Sequence, residues 1–367
     1  MRLEAFVFLS VFVFSLMTVI ADQPTQQGRT GPWTKEQANE WYKQWEWLRG
    51  CNFTPSTAIN QLEMWQADTF DPETIDRELG WAADIGMNCM RVYLHHAAWN
   101  ADRDGFKKRV GQYLDIAEKH GIVTMIVFFD DCWNARFSVG KQPEPRPGIH
   151  NSGWLQDPGM ILYEKPELMD LLEIYVKDIL TTFRDDKRIF IWDLYNEPGN
   201  FNHRERSFDL VKKVFDWAWA VNPSQPLTIG AWNTDLYLEM VEFYVANSDI
   251  ITYHNYMEKD SAVPTAIPHR ELVENLKLHG RPMICTEYMA RHFNSTFQEI
   301  MPFLKAENIG AINWGLVAGK TNTIFKWDEP LPEAAEPPLW FHDILRKDGT
   351  PYSQEEVDLI KSLTGKK

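Results

Sequence analysis

Two glutamates stand where a strand that only fills a core would have no use for them. Glu197 ends the run "RIFIWDLYNEP" and Glu287 ends "PMICTEY". If the two carboxyls face each other, they are the minimum machinery for cleaving a glycosidic bond. One, protonated, donates to the leaving oxygen. The other, ionised, attacks the anomeric carbon or activates water. An acid must begin protonated and an attacking carboxylate ionised, so one of the two is expected to titrate above the ordinary carboxylate range and the other not. For either Glu alone, an ion pair with a rim arginine would be an equally good reading. Two of them, each ending an apolar run among amides and aromatics, favour chemistry.

Other polar and aromatic residues end similar runs. Asn52 ends the first; Arg91 lies in the second, with His95 and His96 after it; Asp130, Asp131 and Trp133 end the third. Asn196 precedes Glu197, Trp232 ends the fifth, His254 and Tyr256 end the sixth, and Trp314 ends the eighth. An Arg beside a carboxylate lowers its pKa. Trp and Tyr present an apolar face and a polar handle, which suits the apolar faces and polar rim of a sugar ring.

The elements that must position these residues are eight strand-like runs, at 47–53, 88–94, 122–129, 189–195, 226–232, 249–256, 282–288 and 310–316, with helical patterns between them. Asp71-Pro72-Glu73 opens one helix and Gly86 closes it, and "SQEE" at 353–356 reads as a capping box. Eight βα units with continuously apolar strands predict an α/β fold, the (β/α)8 TIM barrel, whose chemistry lies at the C-terminal strand ends. An open doubly wound sheet is the runner-up. It lacks support because no glycine-rich phosphate loop follows the first strand.

Residues 47–367 are expected to form this single domain, with 22–46 as an N-terminal extension. Residues 1–21 carry Arg2, an apolar run, and Val19 and Ala21 before Asp22. They read as a signal peptide for secretion or the periplasm, against the alternative of an uncleaved anchor.

Four cysteines, Cys51, Cys89, Cys132 and Cys285, show no metal-ligand spacing and read as buried thiols. A net charge of −15 without a long basic run argues against nucleic acid and polyanionic partners and favours a neutral substrate. No cofactor, no catalytic metal and a monomer are expected. Trp217 and Trp219, on a helix, read as packing. Lys320 reads equally well as a solvated loop lysine, and Asn294-Ser295-Thr296 is a glycosylation sequon at a helix start.

"NEP" after the fourth strand, "TEY" at the seventh, "HNY" at the sixth and the Trp of "INWG" at the eighth together resemble clan A glycoside hydrolases, above all family 5, the cellulase family in the broad sense. The resemblance spans the chain from the first strand to the eighth. It implies Glu197 as general acid/base, Glu287 as nucleophile, and Asn196 on the sugar 2-hydroxyl. It also implies Arg91 and Tyr256 holding the nucleophile ionised, His254 beside the acid/base, and Trp314 as the floor under the cleaved sugar.

The chain departs from the family at the third strand. "FFDDCWN" stands there where a histidine is usual, and His95 or His96 is the candidate to take that part. Two long segments, 52–70 and 140–159, fall on the catalytic face. Inserts there can wall off subsites and favour short substrates or chain ends. A barrel of this kind that binds sugar without cleaving it is the non-enzymatic alternative; hydrolysis of aryl β-glycosides would separate the two.

Overall fold

A computed structural model describes residues 28–232, 238–256 and 268–366, so the expected signal peptide lies outside the described residues. Eight parallel strands form the sheet: β1 Arg49–Asn52, β2 Cys89–Tyr93, β3 Val123–Asp130, β4 Ile189–Asn196, β5 Leu227–Thr228, β6 Ile251–His254, β7 Met283–Glu287 and β8 Gly310–Trp314. Their order is β5-β4-β3-β2-β1-β8-β7-β6. A bridge between Ala231 and Tyr253 joins β5 to β6 and closes the ring. Helices run between the strands, and the fold is the (β/α)8 barrel. β5 is shorter than the expected 226–232.

The strands are buried on both faces, as parallel strands under helices must be. Alternation still sorts the side chains. Cys89, Arg91 and Tyr93 point into the barrel, while Met90 and Val92 pack outward under the helices. In β3, Met125 and Val127 point in and Ile126 and Phe128 point out.

The barrel floor is apolar: Cys89, Met125, Ile191, Ile250, Ile284 and Ile312. Helix α1 (Lys35–Tyr42) plugs it from below with Ala38 and Tyr42, and Trp41 stacks on Phe190 at 6.4 Å. The plug is tied down. Tyr42 Oη donates to the Met283 and Asn308 carbonyls, and Arg29 grips Asp249 with two hydrogen bonds.

Caps fall where the residue types demand. Asp71 accepts from Thr74 N to open the helix Pro72–Asp84, and Thr296 accepts from Glu299 N to open Phe297–Ala306. Ser353 accepts from Glu356 N, yet the capping box is half made. The Glu356 carboxylate turns to Arg291, which holds it with Nε and Nη2 at 2.9 and 2.6 Å. A buried arginine outbids a backbone N–H for that carboxylate. Trp217 and Trp219 are core residues, and the four cysteines are buried and unpaired.

Candidate active site

Above the apolar floor lies a polar layer centred on Arg91, which is fully buried. Its Nε and Nη2 both donate to Asp193 Oδ2, at 2.9 and 2.7 Å. Nη1 donates to Asn52 Oδ1 at 2.8 Å and Glu287 Oε1 at 3.1 Å, and Nη2 also reaches Asn196 Oδ1 at 2.7 Å. The grip expected on Glu287 therefore falls on Asp193, and one arm is left for the glutamate. Tyr93, which Arg91 also touches, extends the network upward with its hydroxyl 3.1 Å from Asn196 Oδ1 and 3.3 Å from Glu287 Oε1.

Glu287 ends β7, 4% exposed. Tyr256 Oη donates to its Oε2 at 2.6 Å, so the carboxylate is held by Arg91, Tyr93 and Tyr256. A register shift between Tyr253 and His254 sets His254 opposite Glu287.

Glu197 follows β4 with φ at +45°, a left-handed conformation that strains a residue with a Cβ by about 1–3 kcal/mol. The turn is held from beneath. Asp131 accepts from Gly199 N, Tyr195 Oη and Ser207 Oγ, and Trp232 Nε1 donates to the Pro198 carbonyl. The strained turn aims the Glu197 carboxyl back over the barrel. There it meets His254 Nδ1 at 2.8 Å, Asn200 Nδ2 at 2.6 Å and the Cys132 thiol at 3.1 Å. His254 Nδ1 is also 3.6 Å from Glu287 Oε2. Taking one oxygen from each glutamate and a ring nitrogen of His254, the three atoms lie within 4.8 Å of one another.

The charges differ from the sequence expectation. Burial raises Glu287, the Glu197 charge adds to that, and His254, Arg91 and Tyr256 offset it only in part, so its carboxyl lies above the ordinary range. Burial also works to raise Glu197, but His254, by hydrogen bond and charge, overcomes it with help from Cys132 and Asn200, and the group lies low. In the free protein the order is thus the reverse of that expected. The cause is the histidine, which sits nearer to Glu197 than to Glu287.

The remaining expected residues fall around this centre. Asn196 Nδ2 donates to Asp130 Oδ1 at 2.9 Å. Asp130 is 1% exposed; it also accepts from Trp154 Nε1 and Cys132 N, and burial pushes it up to about 8. Asn52 Nδ2 is taken by the Thr286 and Asn313 carbonyls. Trp314 packs edge-on against Tyr93 and Trp154, with centroids 5.7 and 5.4 Å away. Trp133 (φ +74°) stacks on His150 at 5.2 Å. His95 and His96 do not join the group: both turn to Asp157, whose oxygens accept from His96 N at 2.7 Å and lie 3.8 Å from His95 Nδ1. Lys320 pairs with Glu63 at 2.7 Å.

Five contributors escaped the sequence reading: Tyr93, Asp193, Cys132, Trp154 and Asn200. Tyr93 and Asp193 lie two residues from Arg91 and Ile191, so strict alternation would have placed both inside the barrel. Cys132 had a weaker signal, next to Asp131 at a strand end. Trp154 had none beyond membership of a long loop on the catalytic face.

A (β/α)8 barrel with a half-buried carboxyl after β4 and a buried one at the end of β7 holds the pair of groups that glycoside hydrolysis needs. The chain is a member of the cellulase family, glycosyl hydrolase family 5, whose model matches residues 50–319, and it is a glycosidase. A search of curated proteins gives no significant match. Among solved structures, a GH5_18 protein from Bifidobacterium longum, in complex with Manβ1-4GlcNAc, superposes with a TM-score of 0.59 at 14% identity, covering 87% of this chain and 78% of that one. A family 5 mannosidase from Rhizomucor miehei gives 0.54 at 13%, covering 87% and 92%. An endo-β-1,4-mannanase from Thermotoga petrophila gives 0.54 at 13%, covering 87% and 76%. At such identities the likeness is one of fold.

Proposed function

We propose that the protein is a retaining β-glycoside hydrolase acting on a neutral oligo- or polysaccharide, with Glu287 as nucleophile and Glu197 as general acid/base. The observation that carries this reading is the spacing. An oxygen of each carboxyl lies within 4.8 Å of the other. Retaining enzymes hold the groups about 5–5.5 Å apart, whereas inverting ones leave about 6.5–9.5 Å for a water.

In the first step Glu287 attacks the anomeric carbon as Glu197 protonates the departing oxygen. In the second, Glu197 takes a proton from the water that displaces Glu287. Glu197 lies low and Glu287 high in the free protein; two carboxyls this close share their protons as a pair, so a substrate placed between them resets which one holds the proton. His254 Nδ1 lies 2.8 Å from Glu197 Oε1, a hydrogen bond that fixes the carboxyl toward the substrate. Arg91, Tyr93 and Tyr256 donate to Glu287 and favour its ionised form, against the burial that raises it. Asn196 keeps its place through Arg91 and Asp130, where it can meet the 2-hydroxyl.

Two variants test the roles. Glu287→Ala removes the nucleophile and is expected to lose activity on every substrate. Glu197→Ala removes acid assistance, which a dinitrophenyl leaving group hardly needs. This variant is expected to form the glycosyl-enzyme from dinitrophenyl glycosides, to fail on natural linkages, and to be accelerated by azide with release of the β-glycosyl azide. An α-azide product, or retention of dinitrophenyl glycoside turnover by Glu287→Ala instead, would reverse or remove the assignment.

A further inference from the structure

Three loops on one side of the barrel mouth are sewn into a single wall. The loop after β1 meets the loop after β3 where Asn60 Nδ2 donates to the Gly153 carbonyl at 2.9 Å and Gln61 Nε2 to the Leu155 carbonyl at 2.8 Å. Asn60 and Gln61 are 0% and 1% exposed, so these are interior bonds. The loop after β8 meets the first loop at Lys320 N, which donates to the Ser56 carbonyl at 3.1 Å. It meets the β3 loop at three levels: Asn151 N to the Thr321 carbonyl (2.8 Å), His150 Nδ1 to the Phe325 carbonyl (2.7 Å), and Leu331 N to the Gly148 carbonyl (3.0 Å). Trp154 stands on the inner face of the wall. It is 1% exposed, wedged against Tyr93 and Trp314 and anchored to Asp130 Oδ2 at 2.7 Å.

The wall's position relative to the two glutamates gives it meaning. Glu197 protonates the departing oxygen, so the leaving part of the substrate lies over β4. In the ring of strands β8 stands four places from β4, and β1 is next to it. The retained sugar, and anything attached to its non-reducing side, therefore points toward β8 and β1, under the wall. Trp314, Tyr93 and Asn52 end β8, β2 and β1 there. The hollow between Trp314 and the wall, lined also by Trp154, Thr321, Thr323 and Asp343, offers about 20 Å³, room for a water molecule and not for a second pyranose.

We propose that the catalytic site is closed on its glycone side, so that the enzyme holds one sugar there and removes single residues from the non-reducing end. This rests on the assignment of Glu197 and Glu287 above. It also names the substrate class: a chain terminus, or a short β-linked oligosaccharide, rather than the interior of a polymer.

The test uses the full chain and paired nitrophenyl β-glycosides of the gluco, manno, xylo and galacto series, each as monoside and as β-1,4-bioside. A closed glycone site must remove the outer sugar of a bioside before the inner one can enter. Nitrophenol should appear from the bioside only after a lag, with free monosaccharide preceding it, and at an initial rate at least tenfold below that from the monoside. Immediate nitrophenol with an intact disaccharide beside it would overturn the closed site while leaving the glycosidase reading standing. No turnover of either form in any series would overturn the glycosidase reading and the closed site with it.

Discussion

At the scale of single residues, the site is a competition for protons and for the five donors of one arginine. Arg91 has four partners besides Glu287: Asp193, Asn52, Tyr93 and Asn196. A lysine has one nitrogen, cannot grip Asp193 in the plane of two N–H groups, and would leave Asp193, buried and with Oδ1 already unpartnered, short of a donor. Arg91→Lys is therefore expected to lower kcat/KM at least tenfold, or about 1.4 kcal/mol in the barrier, and to lower the urea midpoint as well. A folded variant of normal rate and midpoint would place Arg91 outside both roles. The residues legible in the sequence were those that break an apolar run: Glu197, Glu287, His254 and Tyr256 at strand ends, and Arg91 within one. Tyr93 and Asp193 were not, because strands buried on both faces lose the polar–apolar alternation that tells inward from outward.

At the scale of elements, eight strands and the helix starts were readable because apolar runs and capping residues are local signals. What the loops do was not. Their hydrogen bonds join Asn60 to Gly153 and Gly148 to Leu331, pairs far apart in sequence. The N-terminal segment is the other case. Its residues 35–42 form α1, whose Tyr42 closes the barrel floor, 8% exposed and bonded to two carbonyls from different strands' neighbourhoods. Truncating such a ring removes its contacts and leaves a cavity under Ile284 and Ile312. Tyr42→Ala is expected to cost about 3–5 kcal/mol of stability, the range for large aromatic truncations, with kcat/KM retained in the folded fraction. Urea denaturation checks it; a loss below about 1 kcal/mol would mean that the plug contributes little to the barrel's stability.

At the scale of the whole molecule, two sets of buried groups pull stability in opposite directions with pH. Burial holds His95, His150 and His203 at about 4 and His269 at about 3, below the 6.5 of a free histidine. The folded state takes up fewer protons there, so stability rises with pH up to about 6.5. Burial raises Glu78 and Asp131 to about 7 and Asp130 to about 8. The folded state keeps those protons after the unfolded chain has lost them, so their contribution is present at low pH and disappears as pH rises toward 8. Below 6.5 the two sets offset each other; above it only the acids act. Stability is expected to peak near pH 6–6.5 and to fall toward pH 8, measured as urea midpoints at pH 5, 6.5 and 8. A midpoint still rising between 6.5 and 8 would show that these acids are not held protonated.

In the proposed mechanism Glu287 becomes covalently attached to the sugar. A 2-deoxy-2-fluoro glycoside with a dinitrophenyl leaving group slows the second displacement and should trap that species. Mass spectrometry of a proteolytic digest is expected to find the fluoroglycosyl mass on the peptide that contains Glu287, with the peptide containing Glu197 unmodified. The label on Glu197, or turnover with inversion and no label at all, would rule out Glu287 as the nucleophile.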